Sequence, residues 1–253
     1  MIQPDIDIAS AALHPEVQAL DLSVFGPQDL VNLVLQRSEV LFDQPRSGRI
    51  IKAWADGDDA PLLSVVDALG PEIARRAAGV IRAEYEALAP VLRALGPRRL
   101  ADIGCGYALF DLFAARDLGC ELLLIDLEDN GQRHFGFQAQ GAAYSNLATA
   151  RALLEANGVP TEAIRTLNPK REDPLQAGPV DLAVSLLACG FHFPVTPYLD
   201  FFAQTVIGTG AVVLDLRRAT AARQRTDLEK LGRLSELPTQ PKAQRVLLRK
   251  EAT

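Results

Sequence analysis

Leu100-Ala101-Asp102-Ile103-Gly104-Cys105-Gly106-Tyr107-Ala108, followed by Glu121-Leu122-Leu123-Leu124-Ile125-Asp126, decides how this 253-residue chain is read. An apolar strand runs into a glycine-rich turn, a helix over Leu109 to Leu118 crosses back, and a second apolar strand, Glu121 to Ile125, ends on a carboxylate. In an open α/β sheet such a unit builds a nucleoside pocket. The glycines let backbone approach the ligand, and the acidic side chain meets the ribose hydroxyls. A carboxylate that ended an apolar strand without such a role would be a poorly explained burial.

Two kinds of owner compete for this unit. A dinucleotide fingerprint needs a third glycine where this chain has Leu109, because that glycine allows close helix packing beside the pyrophosphate. The pattern is instead Asp102-x-Gly104-x-Gly106-x-Ala108. It resembles the first motif of class I S-adenosylmethionine-dependent methyltransferases, with Ala108 standing where that family usually has its last glycine. The resemblance runs, as an order of elements, from Arg99 to the C-terminus.

Composition agrees with an enzyme of this kind. Hydrophobic residues make up 48% of the chain, enough for a sizeable core, and the net charge is -6. That balance lacks the basic footprint of a protein that grips nucleic-acid phosphates, so RNA and DNA are disfavoured partners. The opening Met1-Ile2-Gln3-Pro4-Asp5-Ile6-Asp7 has no basic and apolar leader pattern, and no apolar run approaches the ~20 residues of a spanning helix. The expected location is cytoplasmic, with no membrane partner. Cys105, Cys120 and Cys189 form no CxxC pair, which argues against a disulfide framework or zinc site.

Residues 1 to 97 read as a helical extension that caps the substrate face. Pro27 opens a helix reaching about Phe42, further helices cover Ser47 to Ala55 and Pro61 to Leu69, and a long one follows Pro71 with a kink or break at Pro90. Residues 98 to 253 read as the cofactor-binding domain. After the opening unit come a helix over Tyr144 to Ala156, strands at Ala163 to Leu167, Val180 to Leu187 and Gly210 to Leu216, helices at Pro197 to Thr205 and Ala221 to Leu231, and a closing hairpin through Leu234 to Leu237 and Arg245 to Arg249. The expected fold is α/β, Rossmann-like, with the class I methyltransferase plan: a seven-stranded, mainly parallel sheet, a C-terminal antiparallel hairpin and a helical N-terminal extension.

Open α/β sheets bind ligands at the carboxyl ends of their strands. Asp102, Gly104, Cys105, Gly106, Asp126, Leu127, Asn168 and Leu186 are therefore the cofactor-site candidates. The turn would cradle the methionine end, Asp126 the ribose, Leu127 the adenine face and Asn168 the adenine amine. The fourth strand leads into Ala188-Cys189-Gly190-Phe191-His192-Phe193-Pro194, where His192 suits a general base, an unperturbed imidazole titrating near ~6.5, or else pins the Phe191 to Phe193 loop by a backbone hydrogen bond. This loop is not the Asn-Pro-Pro-aromatic motif of amino-methylating nucleic-acid enzymes. Together with Arg133-His134-Phe135-Gly136-Phe137, Tyr144-Ser145-Asn146-Leu147 and Asn157-Gly158-Val159, it more loosely resembles bacterial sugar O-methyltransferases. That resemblance implies that His134 and Tyr144 face the substrate, although packing of the loop is the commoner fate of such aromatics. Asp181 and Asp215 make no magnesium triad, and no metal is expected.

The expected activity is O-methylation of a small-molecule or sugar-like acceptor with S-adenosylmethionine, and a homodimer is compatible with it. A nicotinamide-dependent oxidoreductase and a catalytically silent protein of the same fold are the alternatives. The missing third glycine and the closing hairpin oppose the first of these.

Overall fold

The computed structural model describes residues 6–131, 133, 137–138 and 143–250. Short helices α1 (Ile8–Ala12) and α2 (Pro15–Gln18) come first, then α3 (Pro27–Gln36), α4 (Ser47–Ala55), α5 (Ala60–Leu69) and the 24-residue α6 (Glu72–Leu95). Local chemistry sets several of these boundaries. Pro27 occupies the first turn of α3, and Asp29 reaches back to accept from the Gly26 amide at 2.9 Å. Gly96, in the left-handed region, ends α6.

Two expectations differ here. The helix opened by Pro27 stops at Gln36 instead of reaching Phe42, and a 3-10 turn over Ser38–Leu41 follows. Arg37 leaves helical geometry and places its guanidinium on Glu84 of α6 in a buried, two-pronged pair at 2.9 and 2.6 Å. A tertiary ion pair has overridden the local periodicity. Pro90 does not break the chain into two helices, for α6 runs as one element across it. Pro90 and Glu86, four residues earlier, are both exposed, so water can reach the carbonyl that proline leaves without its partner.

The sheet follows: β1 (Arg99–Ile103), α7 (Leu109–Leu118), β2 (Glu121–Ile125), α8 (Leu147–Ala156), β3 (Ile164–Leu167), β4 (Val180–Ser185), α9 (Leu199–Gln204), β5 (Val206–Arg217), α10 (Ala221–Leu228), β6 (Gly232–Leu237) and β7 (Ala243–Lys250). Helix α8 starts at Leu147 rather than Tyr144 because Asn146 caps it, accepting from the amides of Ala148 and Thr149 at 2.9 and 3.0 Å. The strands form one sheet in the order β3-β2-β1-β4-β5-β7-β6. The β1, β2, β3, β4 and β5 pairings are parallel, and β7 runs antiparallel to both β5 and β6. The order reverses at β1, with β2 on one side and β4 on the other, which is where an open sheet opens a ligand crevice. This is the class I methyltransferase fold expected above.

Strand alternation sorts the core into two sides. Leu100, Leu122, Leu124, Leu182, Val184 and Val213 pack with α3, α6, α7 and α8, whereas Ala101, Ile103, Leu123, Ile125, Val212 and Leu214 pack with α9 and α10. The extension therefore shares a continuous core with the sheet: Leu33, Leu41, Leu62, Ile73 and Leu92 belong to the same cluster as Leu100 and Leu122. Among the described residues, no helix is long and apolar enough to cross a membrane.

Candidate active site

A cavity of about 440 Å³ opens over the carboxyl ends of β1, β2 and β4, a size suited to a small-molecule ligand. Its first wall is the turn after β1. Gly104 and Gly106 have φ of +78° and +58°. A Cβ on Gly104 would stand 2.4 Å from that of Ala188, and one on Gly106 would meet the Gln36 amide group at 2.8 Å. Both positions thus require glycine for conformation and for space. Ala108 takes the same left-handed conformation, φ +57°, as it leads into α7.

Asp126 ties this wall together. It is 5% exposed. It accepts from the Gly106 amide at 3.0 Å, the Glu128 amide at 3.1 Å and the Ser145 hydroxyl at 2.5 Å. Burial pushes its carboxyl above the ordinary range, and the three donors partly offset that rise. Asp102, from β1, also faces the cavity, while burial and the neighbouring Asp111 of α7 push it well up. Burial likewise lifts Asp111, to about 7.

The remaining wall is assembled from distant segments. Leu35, Gln36 and Arg37 come from the end of α3, and Ile81 from α6. Gln36 donates to the Tyr144 carbonyl, so the extension touches both the glycine turn and the segment before α8. Tyr107 strengthens that link: its hydroxyl donates to Asp29 at 2.7 Å and accepts from Asn32 at 3.0 Å.

His192 lines the cavity on a firmly braced loop after β4. Its amide donates to the Ala188 carbonyl at 2.8 Å, and its own carbonyl accepts from the Gln138 amide at 2.9 Å. Gln224 of α10 donates to Gly190 at 2.8 Å and accepts from the Val195 amide at 3.0 Å. The Arg217 guanidinium donates to the Phe191 carbonyl at 2.7 Å and lies over its ring, 4.6 Å from the centroid. Phe193, Pro197 and Tyr198 continue this wall with apolar and aromatic surface.

Of the residues singled out in the sequence, Asp102, Gly104, Cys105, Gly106, Asp126, Leu127, Tyr144, Leu186 and His192 all line the cavity. Asn168 is not among the lining residues; its amide donates to the Leu127 carbonyl at 3.0 Å and to Glu128 at 3.1 Å, bracing the segment after β2. His134 lies outside the described residues. Arg133 is bound away from an anionic ligand role by Asp59, at 2.7 and 2.9 Å, and by the Trp54 carbonyl at 2.9 Å. Trp54 in turn stacks edge-on with Tyr144, centroids 5.5 Å apart. Sequence reading did not single out Gln36, Tyr198 or Asp111. Only Asp111 carried a visible signal, a carboxylate inside the otherwise apolar run Leu109-Phe110-Asp111-Leu112-Phe113-Ala114.

No protein-family model and no curated protein matches the chain. Among solved structures it is similar to the S-adenosylmethionine-dependent methyltransferase SibL in its apo form, at 15% identity, over 88% of this chain and 74% of that one, with a TM-score of 0.49. An O-methyltransferase family protein from Burkholderia thailandensis is 10% identical over 88% of this chain and 72% of its own, TM-score 0.46. A Nostoc punctiforme protein provisionally described as an O-methyltransferase is 14% identical over 68% of this chain, TM-score 0.43, and only 59% of its length is spanned. Likeness at this distance is a likeness of fold.

Proposed function

We propose that the protein is a cytoplasmic S-adenosylmethionine-dependent methyltransferase that acts on a hydroxyl oxygen of a small, sugar-like acceptor. The observation that carries the reading is the Asp126 carboxylate, hydrogen-bonded at 3.0 Å to the Gly106 amide in the wall of a cavity that extends to His192. The residues fit the cofactor. A carboxylate has about four acceptor positions, and Asp126 uses three, which leaves one for a ribose hydroxyl. Asp102 Oδ1 is a buried acceptor with no hydrogen-bond partner among the described residues, suited to the ammonium of the methionine end. The turn around Gly104 and Gly106 has room for backbone approach that a Cβ would remove.

When bound, S-adenosylmethionine supplies a methyl group already activated on sulfonium sulfur. The chain's tasks are then alignment, water exclusion and removal of one proton. His192 takes the proton of the attacking hydroxyl at an imidazole nitrogen. The loop that carries it is held in place, because the Gly190 to Val195 segment is anchored to β5 and α10. Tyr144, Phe193 and Tyr198 offer flat faces for an acceptor ring and keep water from the reacting atoms. Gln36 and Arg37 hold the roof formed by the extension over the turn.

The test is methyl transfer to a panel of saccharides and phenols, read as S-adenosylhomocysteine formed, with wild type and His192→Ala. Turnover of a saccharide that falls about 10²- to 10⁴-fold in the variant, at unchanged cofactor affinity, supports the reading. Equal turnover in both proteins removes His192 as the base, and transfer to phenols alone replaces the acceptor class.

A further inference from the structure

Behind the glycine turn lies a pair of carboxyl groups that the chemistry above leaves unexplained. Alternation along β1 puts Asp102 on the same sheet face as Leu100, against α7, and Asp111 projects from the first turn of that helix. Asp111 is fully buried and Asp102 is 5% exposed. Neither oxygen of Asp111, nor Oδ1 of Asp102, has a hydrogen-bond partner among the described residues, yet the two carboxyls are within hydrogen-bonding reach of each other. Two such groups are not both ionised unless a cation lies between them; without one they share a proton.

Among the described residues no unengaged cation faces the pair. Asp126, at the end of β2, adds a further negative charge facing Asp102. Arg37 is the cation that faces the pair, but its guanidinium is engaged by Glu84 at 2.9 and 2.6 Å and by Glu39 at 3.3 Å. Cys105 and Cys120 face the carboxyls as neutral thiols, since burial first, and then these acids, push both thiols up. A proton shared between the two aspartates relieves their repulsion and gives each a partner. Asp102 lines the cavity and Asp111 does not, so a ligand reaches the pair only through Asp102.

We propose that Asp111 is a positioning residue that shares a proton with Asp102, and that this proton passes to solvent when the primary ammonium of an amino-acid ligand binds against Asp102. The inference rests on the cofactor reading above and deepens it. The O–H bond of the pair breaks, the proton goes to buffer, and the ammonium donates an N–H to Asp102 while its charge offsets both carboxylates. Cofactor affinity consequently rises with pH, by at most about tenfold per unit, over the range in which the pair still holds its proton.

The experiment is calorimetric titration with S-adenosylhomocysteine at about pH 6.5 in two buffers of different ionisation heat, which counts the protons exchanged on binding. The expected result is a release of about one proton per ligand in wild type, and close to none in Asp111→Asn. 5′-Methylthioadenosine, which keeps the nucleoside and sulfur but lacks the ammonium, should bind with no release. Should Asp111→Asn not fold, Asp102→Asn must show the same loss of release. Tight binding of S-adenosylhomocysteine without proton release, or release undiminished in a folded Asp111→Asn, overturns the shared proton while leaving the cofactor reading intact. Failure of both nucleosides to bind overturns the cofactor reading and this inference with it.

Discussion

The wall formed by Gly104, Gly106 and Asp126 comes from two neighbouring strands, and its key hydrogen bond spans only 20 residues of sequence. The facing wall draws Gln36 and Arg37 from the extension, Tyr144 from before α8, and His192 and Tyr198 from beyond β4. Its anchoring ion pair, Arg37 with Glu84, spans 47 residues, and the Gln36 to Tyr144 hydrogen bond spans 108. A wall of the first kind depends on backbone geometry that one short motif can specify. A wall of the second kind depends on packing of the whole extension against the sheet, so it can vary while the motif stays the same. The comparison predicts that damage to the first wall appears in ligand affinity and damage to the second appears mainly in stability and acceptor choice.

The largest expected effect is on the second wall. Arg37→Ala would leave Glu84 buried without its partner and should cost about 3–5 kcal/mol of unfolding free energy, read by denaturant titration. Replacing both Arg37 and Glu84 by Met should recover most of it. A loss below about 1 kcal/mol would mean that the roof is held by apolar packing alone. On the first wall, Asp126→Asn keeps the shape but removes the charge behind three hydrogen bonds. It should weaken S-adenosylhomocysteine binding by about ten- to a hundredfold, in line with ~1.5–3 kcal/mol for charge-assisted contacts. Unchanged affinity would deny Asp126 a ligand role and erase the contrast between the walls.

The smallest effect concerns pH. Asp102 and Asp111 are both raised from an ordinary 3.8, Asp111 to about 7, so the folded state binds more protons than the unfolded chain between those values. Unfolding free energy should therefore fall as pH rises from about 4 to about 7, and Asp111→Asn should flatten that slope by on the order of 1 kcal/mol per pH unit. An identical slope in both proteins would show that other groups carry it.

The same contrast explains what could be read in advance. Strand β2 and helix α7 match their expected bounds because Glu121 to Ile125 and Leu109 to Leu118 are set by local pattern and by Gly119 at the helix end. The seven-stranded, mainly parallel sheet with its closing hairpin was legible because alternating strands and helices followed by a hairpin leave few topologies. Gln36 was not legible, since nothing local marks a glutamine that will lie against Gly106. The stop of α3 at Gln36 was missed for the same reason, its cause being Glu84 on another helix. Asn168 follows its strand as expected, but its amide is spent on Leu127 and Glu128, a contact between loops that no periodicity encodes.

The most direct test of the central claim is calorimetric titration of the purified protein with S-adenosylhomocysteine, with NAD in parallel. The account predicts saturable binding of S-adenosylhomocysteine alone. Binding of NAD instead, or of neither ligand, would contradict it.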